Sequence, residues 1–92
     1  MNKIPIKFRV AQVIYQNEGV SNLEILKILN NEYPFDRSIN ERNVEEYLLS
    51  LKAVGIIELT NAITDKNGKL KMFYKITDYG KSRMKYIEIK SS

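Results

Sequence analysis

The stretch Asp65–Arg83, DKNGKLKMFYKITDYGKSR, combines a turn, a strand and the start of a helix, and this order decides the fold. Asn67-Gly68 predicts a β-hairpin with a two-residue type I′ turn, because both central positions of that turn need a positive φ. Thr77 predicts the N-cap of a helix that follows directly. Apolar residues alternate with polar ones on both sides of the turn, namely Ile57, Leu59 and Ile63 before it and Leu70, Met72, Tyr74 and Ile76 after it. This period of two predicts paired strands.

The register of the hairpin follows from the length of its loop. A two-residue loop predicts the cross-strand pairs Lys66–Lys69, Ile63–Met72 and Leu59–Ile76. This register places the apolar side chains on one face of the hairpin. It also places two lysines opposite each other at the tip, where their repulsion weakens an isolated hairpin and a nearby polyanion would relieve it.

Upstream of the hairpin the apolar period is that of helices. Ser21 with Glu24, and Ser38 with Glu41, are capping-box patterns that predict the starts of the second and third helices. Pro34 separates these two helices. The predicted elements are helices over 4–17, 22–31 and 39–53, a wing over 56–77 and a last helix over 78–87. The chain is therefore predicted to be one α+β domain over 1–92, with the order α-α-α-β-β-α.

The composition argues against an enzyme. The chain has no Cys and no His, which removes thiolate chemistry, the commonest general base and the commonest transition-metal ligand. We therefore expect no catalytic residue, no cofactor and no metal. Lys3, Lys7 and Arg9 interrupt the N-terminal apolar residues, and the longest apolar run, 53–57, is far too short to span a bilayer. We expect a cytoplasmic protein that binds no membrane.

The positive charge is unevenly distributed along the chain. Residues 1–20 carry three basic and one acidic side chain, residues 21–54 carry four basic and six acidic, and residues 55–92 carry eight basic and four acidic. The net charges of these segments are +2, −2 and +4, which sum to the +4 of the whole chain. This asymmetry favours contact between the C-terminal part and a polyanion. The alternative is that the lysines only solvate an exposed surface.

Two segments carry a resemblance to a known superfamily. Residues 40–59, NERNVEEYLLSLKAVGIIEL, and 71–84, KMFYKITDYGKSRM, resemble winged helix-turn-helix DNA-binding proteins, most closely the PadR and MarR-like regulators. Such proteins commonly end the third helix in a leucine-rich run followed by Gly and two apolar residues, here Gly55-Ile56-Ile57. Their returning wing strand commonly closes as Tyr-x-Leu-Thr-x-x-Gly, matched here from Tyr74 to Gly80. Small adaptors of phage and plasmid partition systems, which bind centromere repeats, are also similar in architecture.

The resemblance implies that the start of helix three enters the major groove of double-stranded DNA and that the wing reaches the minor groove or the phosphates. The implied helix residues are Asn40, Arg42, Asn43 and Glu46, and the implied wing residues are Lys66, Asn67, Gly68, Lys69 and Lys71. Weaker phosphate candidates are Lys7, Arg9, Lys81, Arg83 and Lys85. Glu41, Glu45 and Glu46 crowd the same helix and repel phosphates, so helix three could instead meet a second subunit or another protein, with Leu49 in the contact. Asn40 could also be only a helix-start residue.

Helix one is apolar on two sides, which predicts a homodimer. One stripe faces the core, and the second is left for a partner subunit together with residues near the C-terminus. The predicted interface residues are Phe8, Ala11, Tyr15, Tyr86 and Ile87. The alternative is a single broad face that is buried within one chain.

Together these patterns favour a dimeric double-stranded-DNA-binding protein, most simply a regulator of transcription. A partition adaptor that binds centromere repeats is the alternative within the same class. A winged-helix module that binds only protein, through the acidic third helix, is the alternative from another class, since a fold does not dictate a function.

Overall fold

The computed structural model of the chain describes the backbone of residues 5–91 and the side chains of residues 5–86. Its elements are α1 (Ile6–Gln16), α2 (Asn22–Glu32), α3 (Glu41–Ala53), β1 (Ile57–Thr64), β2 (Leu70–Ile76) and α4 (Asp78–Ser91). The predicted order of three helices, two antiparallel strands and a last helix is confirmed. The last helix is four residues longer than predicted. Within the described residues, no helix is both long enough and apolar enough to cross a membrane.

The start of α2 agrees with its sequence pattern. The Ser21 hydroxyl accepts a hydrogen bond from the Glu24 amide at 3.2 Å, and the Glu24 carboxylate accepts one from the Ser21 amide at 3.1 Å. This is the reciprocal capping box, which satisfies two amides that the helix itself leaves unpaired.

The start of α3 differs from its prediction. The N-cap is Asn40, whose side-chain oxygen accepts from the Asn43 amide at 2.9 Å. The hydroxyl of Ser38 instead donates to the Asp36 carboxylate at 2.6 Å. The predicted Ser38 capping box is therefore wrong, because Asp36 holds the serine in the preceding turn while an equally suitable Asn lies two residues later.

The hairpin has a different register from the predicted one. Ile57 pairs with Ile76 and Ala62 with Met72, and a β-bulge interrupts the ladder between Leu59 and Asn61. The predicted pairs Ile63–Met72 and Leu59–Ile76 are wrong, since Ile63 pairs with Lys71 and Leu59 with Tyr74. The bulge adds one residue to β1, so Ile63 changes to the face of the hairpin that carries Lys71 and Phe73, opposite the face that carries Met72 and Tyr74.

The turn explains the other part of the register error. The Gly68 amide donates to the Asp65 carbonyl and the Asp65 amide to the Lys69 carbonyl, both at 2.9 Å, which gives a three-residue loop. Only Gly68 in this loop has a positive φ, of 78°, so the predicted two-residue type I′ turn, in which Lys66 pairs with Lys69, is wrong. The Asp65 carboxylate accepts from the amides of Asn67 and Lys69, both at 2.9 Å. This side chain stabilises the longer loop, as Asp commonly does in turns.

The hydrophobic core lies between the three N-terminal helices, the base of the hairpin and α4. Its fully buried side chains include Val10, Val13, Ile14, Ile25, Leu29, Val44, Leu48, Leu51, Ile57 and Met84. The base of the hairpin is part of the core: Tyr74 and Ile76 of β2 are buried, whereas every residue of β1 after Ile57 is exposed. The outer part of the hairpin therefore projects from the body of the protein as a wing.

The motif Thr77-x-x-Gly80 joins the wing to α4. The Gly80 amide donates to the Thr77 hydroxyl oxygen at 2.9 Å, which confirms Thr77 as the cap of this helix. The Thr77 hydroxyl donates in turn to the Gly55 carbonyl at 2.5 Å, and the Thr77 amide donates to the Ile56 carbonyl at 3.0 Å. Gly80 is buried against that same Ile56 carbonyl, so the helix packs backbone to backbone on the entry to β1.

An ion pair joins α1 to the end of α2. The Arg9 Nε and Nη2 atoms donate to the two carboxylate oxygens of Glu32 at 2.8 and 2.6 Å, a bidentate pairing. These hydrogen bonds hold the pKa of Glu32 below its ordinary value and raise the pKa of Arg9. Arg9 is therefore engaged in holding two helices together, which argues against its predicted role as a phosphate contact.

This ion pair predicts a stability difference that depends on pH. Because the folded pKa of Glu32 is lowered, the pair stabilises the fold above the ordinary carboxylate pKa of about 4.3, and this stabilisation is lost as the pH falls through the folded pKa. We expect Glu32→Gln to lower the free energy of unfolding by about 1 kcal/mol at pH 7. The difference from wild type should vanish in acid, as measured by urea unfolding across pH.

Arg9→Gln provides the control for that measurement. In the Arg9→Gln background, adding Glu32→Gln should change stability little, because the partner is already absent. If Glu32→Gln lowers the free energy of unfolding equally in both backgrounds, the ion pair does not contribute to the stability of the fold.

Candidate nucleic-acid interface

The tip of the wing and the first turn of α3 lie next to each other. The Lys69 Nζ atom is 3.6 Å from the Glu41 carboxylate, and each side chain is about half exposed. This contact brings together two sets of predicted residues that are far apart in sequence. We call the first turn of α3 and the loop 65–69, with Lys71 of β2, the candidate interface.

Within α3, the predicted residues are not equally available. Asn40 caps the helix and also donates from its side-chain amide to the Arg37 carbonyl at 3.1 Å. Asn43 donates from its side-chain amide to the Ser38 carbonyl at 2.9 Å. Both amides are therefore used to shape the turn before α3. Arg42, with a side chain 88% exposed, is the predicted cation that extends from this end of the helix.

Carboxylates accompany the cations of the candidate interface. Arg42 Nε lies 3.7 Å from the Glu46 carboxylate one turn later, and Lys69 lies beside Glu41. Both pairs are in contact with solvent, so each contributes little energy, and another anion can replace the carboxylate in either pair. Two of the α3 carboxylates that would repel phosphates are thus weakly paired with cations of the candidate interface.

The wing tip presents its predicted residues to solvent. Lys66, Asn67, Gly68 and Lys69 are exposed. Lys71 is half-buried, and its Nζ atom lies 5.8 Å from the centre of the Phe73 ring, within the range of a cation–π contact. Lys71 is therefore held on the wing surface by its neighbour on the same face, while Lys66 and Lys69 extend from the loop.

The predicted dimer residues differ in their exposure. Ala11 is completely buried in the core of one chain, so its side chain is not available to a second subunit, and its assignment to the interface is corrected. Phe8 and Tyr15 are half-buried, and Tyr15 packs against the core. Tyr86 is 53% exposed on α4. The side chain of Ile87 lies outside the described residues.

One contact beside the candidate interface has no predicted counterpart. Asn22, the first residue of α2, is almost completely buried, and its side chain is hydrogen-bonded to the backbone of β2 at Leu70 and Met72. Nothing local in the sequence indicates this role, since an Asn beside a helix start is ordinarily expected to cap that helix. A polar residue directly after the cap Ser21 is the one sequence feature that marks this position, and it does not indicate a contact with β2.

A polar cleft lies on another side of the molecule, between the end of the α1–α2 turn, the base of the wing and the start of α4. Its volume is about 440 Å³, and its lining is mostly charged, with Glu18, Glu58, Lys75, Asp78 and Lys81 among the residues. Lys75 and Glu58 are paired across it at 3.1 Å. Among the side chains that the structure describes, no group of three or more acidic residues is arranged to hold a metal ion.

The structure is similar to that of a PadR-like transcriptional regulator from Bacillus cereus, with a TM-score of 0.72 and 23% sequence identity. The matched region covers 92% of this chain and 79% of the regulator. No family model matches the chain, and no curated protein matches it. This similarity and the order of the elements show that the chain has the winged helix-turn-helix fold.

Proposed function

We propose that the protein binds double-stranded DNA and regulates transcription, with the first turn of α3 in the major groove and the wing on adjacent phosphates. The observation that carries the proposal is the contact between Lys69 and Glu41, because it joins an exposed basic loop and an exposed helix start into one surface. The structural similarity to a PadR-like transcriptional regulator supports the same function.

The chemistry of the candidate interface suits this role. The guanidinium of Arg42 can donate two hydrogen bonds to a guanine edge, and it is the exposed cation at the tip of the helix. Lys66 and Lys69 can each replace a condensed counterion at a phosphate. Asn40 and Asn43 would act indirectly, because their side chains hold the turn that orients this end of α3.

We also propose that the protein acts as a homodimer. Tyr86 is exposed on α4, and Phe8 and Tyr15 are only half-buried on α1, so apolar surface remains on both helices. A dimer would place two copies of α3 on half-sites about one helical turn of DNA apart. Light scattering at micromolar concentration tests this part, and a monomeric mass would contradict it.

Fluorescence anisotropy tests DNA binding directly. Labelled duplexes from the region around the protein's own gene would be compared with scrambled duplexes of equal length, over a salt series. Binding that prefers the native duplex and weakens steeply with salt supports the proposal. Footprinting would then distinguish one operator, as expected for a regulator, from an array of repeats, as expected for a partition adaptor.

A protein-binding module is the second candidate, and one observation favours it. Leu49 is 61% exposed on α3, on the same side of the helix as Glu46 and Arg42. An apolar side chain with acidic neighbours suits a basic, partly apolar protein surface better than it suits DNA. Absence of DNA binding even at low salt would favour this function.

The ion pair between Lys69 and Glu41 leads to a prediction about affinity. Glu41→Gln should increase DNA affinity up to about fivefold, because it frees Lys69 and removes a negative charge from the phosphate-facing surface. The measurement is anisotropy with scrambled DNA, where phosphate contacts dominate.

Glu58→Gln is the matched control, because it removes the same charge beside a wing lysine, Lys75, at the opposite end of the wing. If both variants raise affinity equally, the effect belongs to net charge and not to the contact between Lys69 and Glu41.

A further inference from the structure

The side chain of Asn22 substitutes for a strand residue at the outer edge of the wing. Its Oδ1 atom accepts a hydrogen bond from the Met72 amide at 2.9 Å, and its Nδ2 atom donates to the Leu70 carbonyl at 3.4 Å. Asn22 is 4% exposed, which makes it one of the two buried polar residues of the described structure. A buried amide group in this position is retained only if its hydrogen bonds are made.

These hydrogen bonds extend a main-chain ladder. The Gly19 amide donates to the Tyr74 carbonyl, and the Tyr74 amide donates to the Val20 carbonyl, both at 3.0 Å. Ser21 forms an isolated bridge with Phe73. The next residue would pair with Met72, but at Asn22 the chain already turns into α2. The side chain of Asn22 therefore supplies the donor and acceptor that the backbone no longer provides.

The contact lies at the place where the wing would otherwise detach from the body. A two-stranded hairpin is only marginally stable by itself, and β1 is exposed along its whole length after Ile57. Beyond the buried Tyr74, β2 contacts the body through the Ser21–Phe73 bridge, through Asn22 and through the half-buried Met72, which packs against the core. Asn22 makes the outermost of these contacts, at Leu70. Leu70 is separated from Lys69 of the loop by a single peptide bond.

We propose that Asn22 is a positioning residue that fixes the wing against the body and thereby holds the wing lysines at a set distance from α3. The expected effect of Asn22 on DNA affinity rests on the proposed function. A wing that is already ordered loses less conformational entropy when it binds DNA, so the ordered wing should bind more tightly. The residue itself needs no contact with DNA.

The test compares Asn22→Leu with Ile25→Val. Leucine is similar in size to asparagine but forms no hydrogen bond, while Ile25→Val removes one buried methyl group from the same helix and leaves the hydrogen bonds of Asn22 to the wing in place. We expect the Met72 amide to exchange with solvent roughly tenfold faster in Asn22→Leu only. DNA affinity should fall about tenfold in Asn22→Leu with an unchanged salt slope, because the lysines that contact phosphates are still present.

Asn22→Asp serves as the second variant. It keeps the acceptor for the Met72 amide and suits the first turn of a helix, but it cannot donate to the Leu70 carbonyl. It should retain slow exchange at Met72, and it keeps the test valid if Asn22→Leu does not fold. Unchanged exchange in Asn22→Leu, or an equal loss of affinity in Asn22→Leu and Ile25→Val, would overturn the inference. If the wild type binds no DNA, the proposed function fails, whereas the exchange rate of Met72 still decides whether Asn22 holds the wing.

Discussion

Replacing Gly80 by alanine should lower the free energy of unfolding by about 3 kcal/mol or more. A Cβ atom at this position would collide with the Ile56 carbonyl oxygen and would lie 2.9 Å from the Ile76 Cγ1 atom. The Ile56 carbonyl cannot simply move away, because it accepts the hydrogen bond from the Thr77 amide. In a helix without such a contact, Gly→Ala would raise the free energy of unfolding by up to about 1 kcal/mol. Tertiary packing therefore determines whether this substitution stabilises or destabilises the protein.

Urea unfolding followed by circular dichroism would measure the difference, with Gly68→Ala as the control. Gly68 has a φ of 78°, but a Cβ atom there would meet nothing within 4 Å. Gly68→Ala therefore reports the cost of a left-handed residue alone, roughly 1–2 kcal/mol. If Gly80→Ala costs no more than this control, α4 does not approach β1 as closely as the structure shows.

The double substitution Lys66→Ala/Lys69→Ala should weaken DNA binding up to roughly fiftyfold near 0.1 M salt. Both lysines are exposed on the loop of the wing, and the partner of Lys69, the Glu41 carboxylate, forms only a weak exposed ion pair that a phosphate can replace. Each lost phosphate contact removes about 0.9 from the slope of log K against log salt, so the double variant should have a slope shallower by about 2 units. The measurement is fluorescence anisotropy over a salt series.

Lys27→Ala/Lys52→Ala is the matched control for that experiment. It removes the same two positive charges from exposed positions on α2 and α3 outside the candidate interface. The DNA affinity of this control variant should fall only slightly, because only the net charge of the protein has changed. Equal losses in the two double variants would mean that the wing does not contact phosphates, and a partner for the acidic α3 would then be sought.

The successful predictions about the fold depend on residues that are close in sequence. The Ser21 capping box and the Thr77 cap each form within three residues, so the same atoms meet wherever the helix forms. The order of elements follows from the change of apolar period at Gly55, which is also local.

The incorrect predictions were made where two local options compete. Asn67-Gly68 favours a two-residue turn, but the Asp65 carboxylate binds two loop amides and selects a longer loop. Ser38 and Asn40 are both good caps, and the bond to Asp36 removes the serine. Such competitions are decided by differences of about 1 kcal/mol, which a residue pattern does not resolve.

In the candidate interface, too, some features follow from neighbouring residues in the sequence and others only from tertiary packing. The sequence by itself determined the order of the elements and the presence of a basic hairpin after the third helix, whereas the cap of α3 and the turn of the wing differ from their predictions. Only the tertiary structure decided that Glu41 lies beside Lys69, that Ala11 is inside the core, that Gly80 admits no side chain and that Asn22 holds β2. The physical reason is distance along the chain: short-range periodicity and caps set each element, whereas contacts between residues tens of positions apart exist only after the elements have packed.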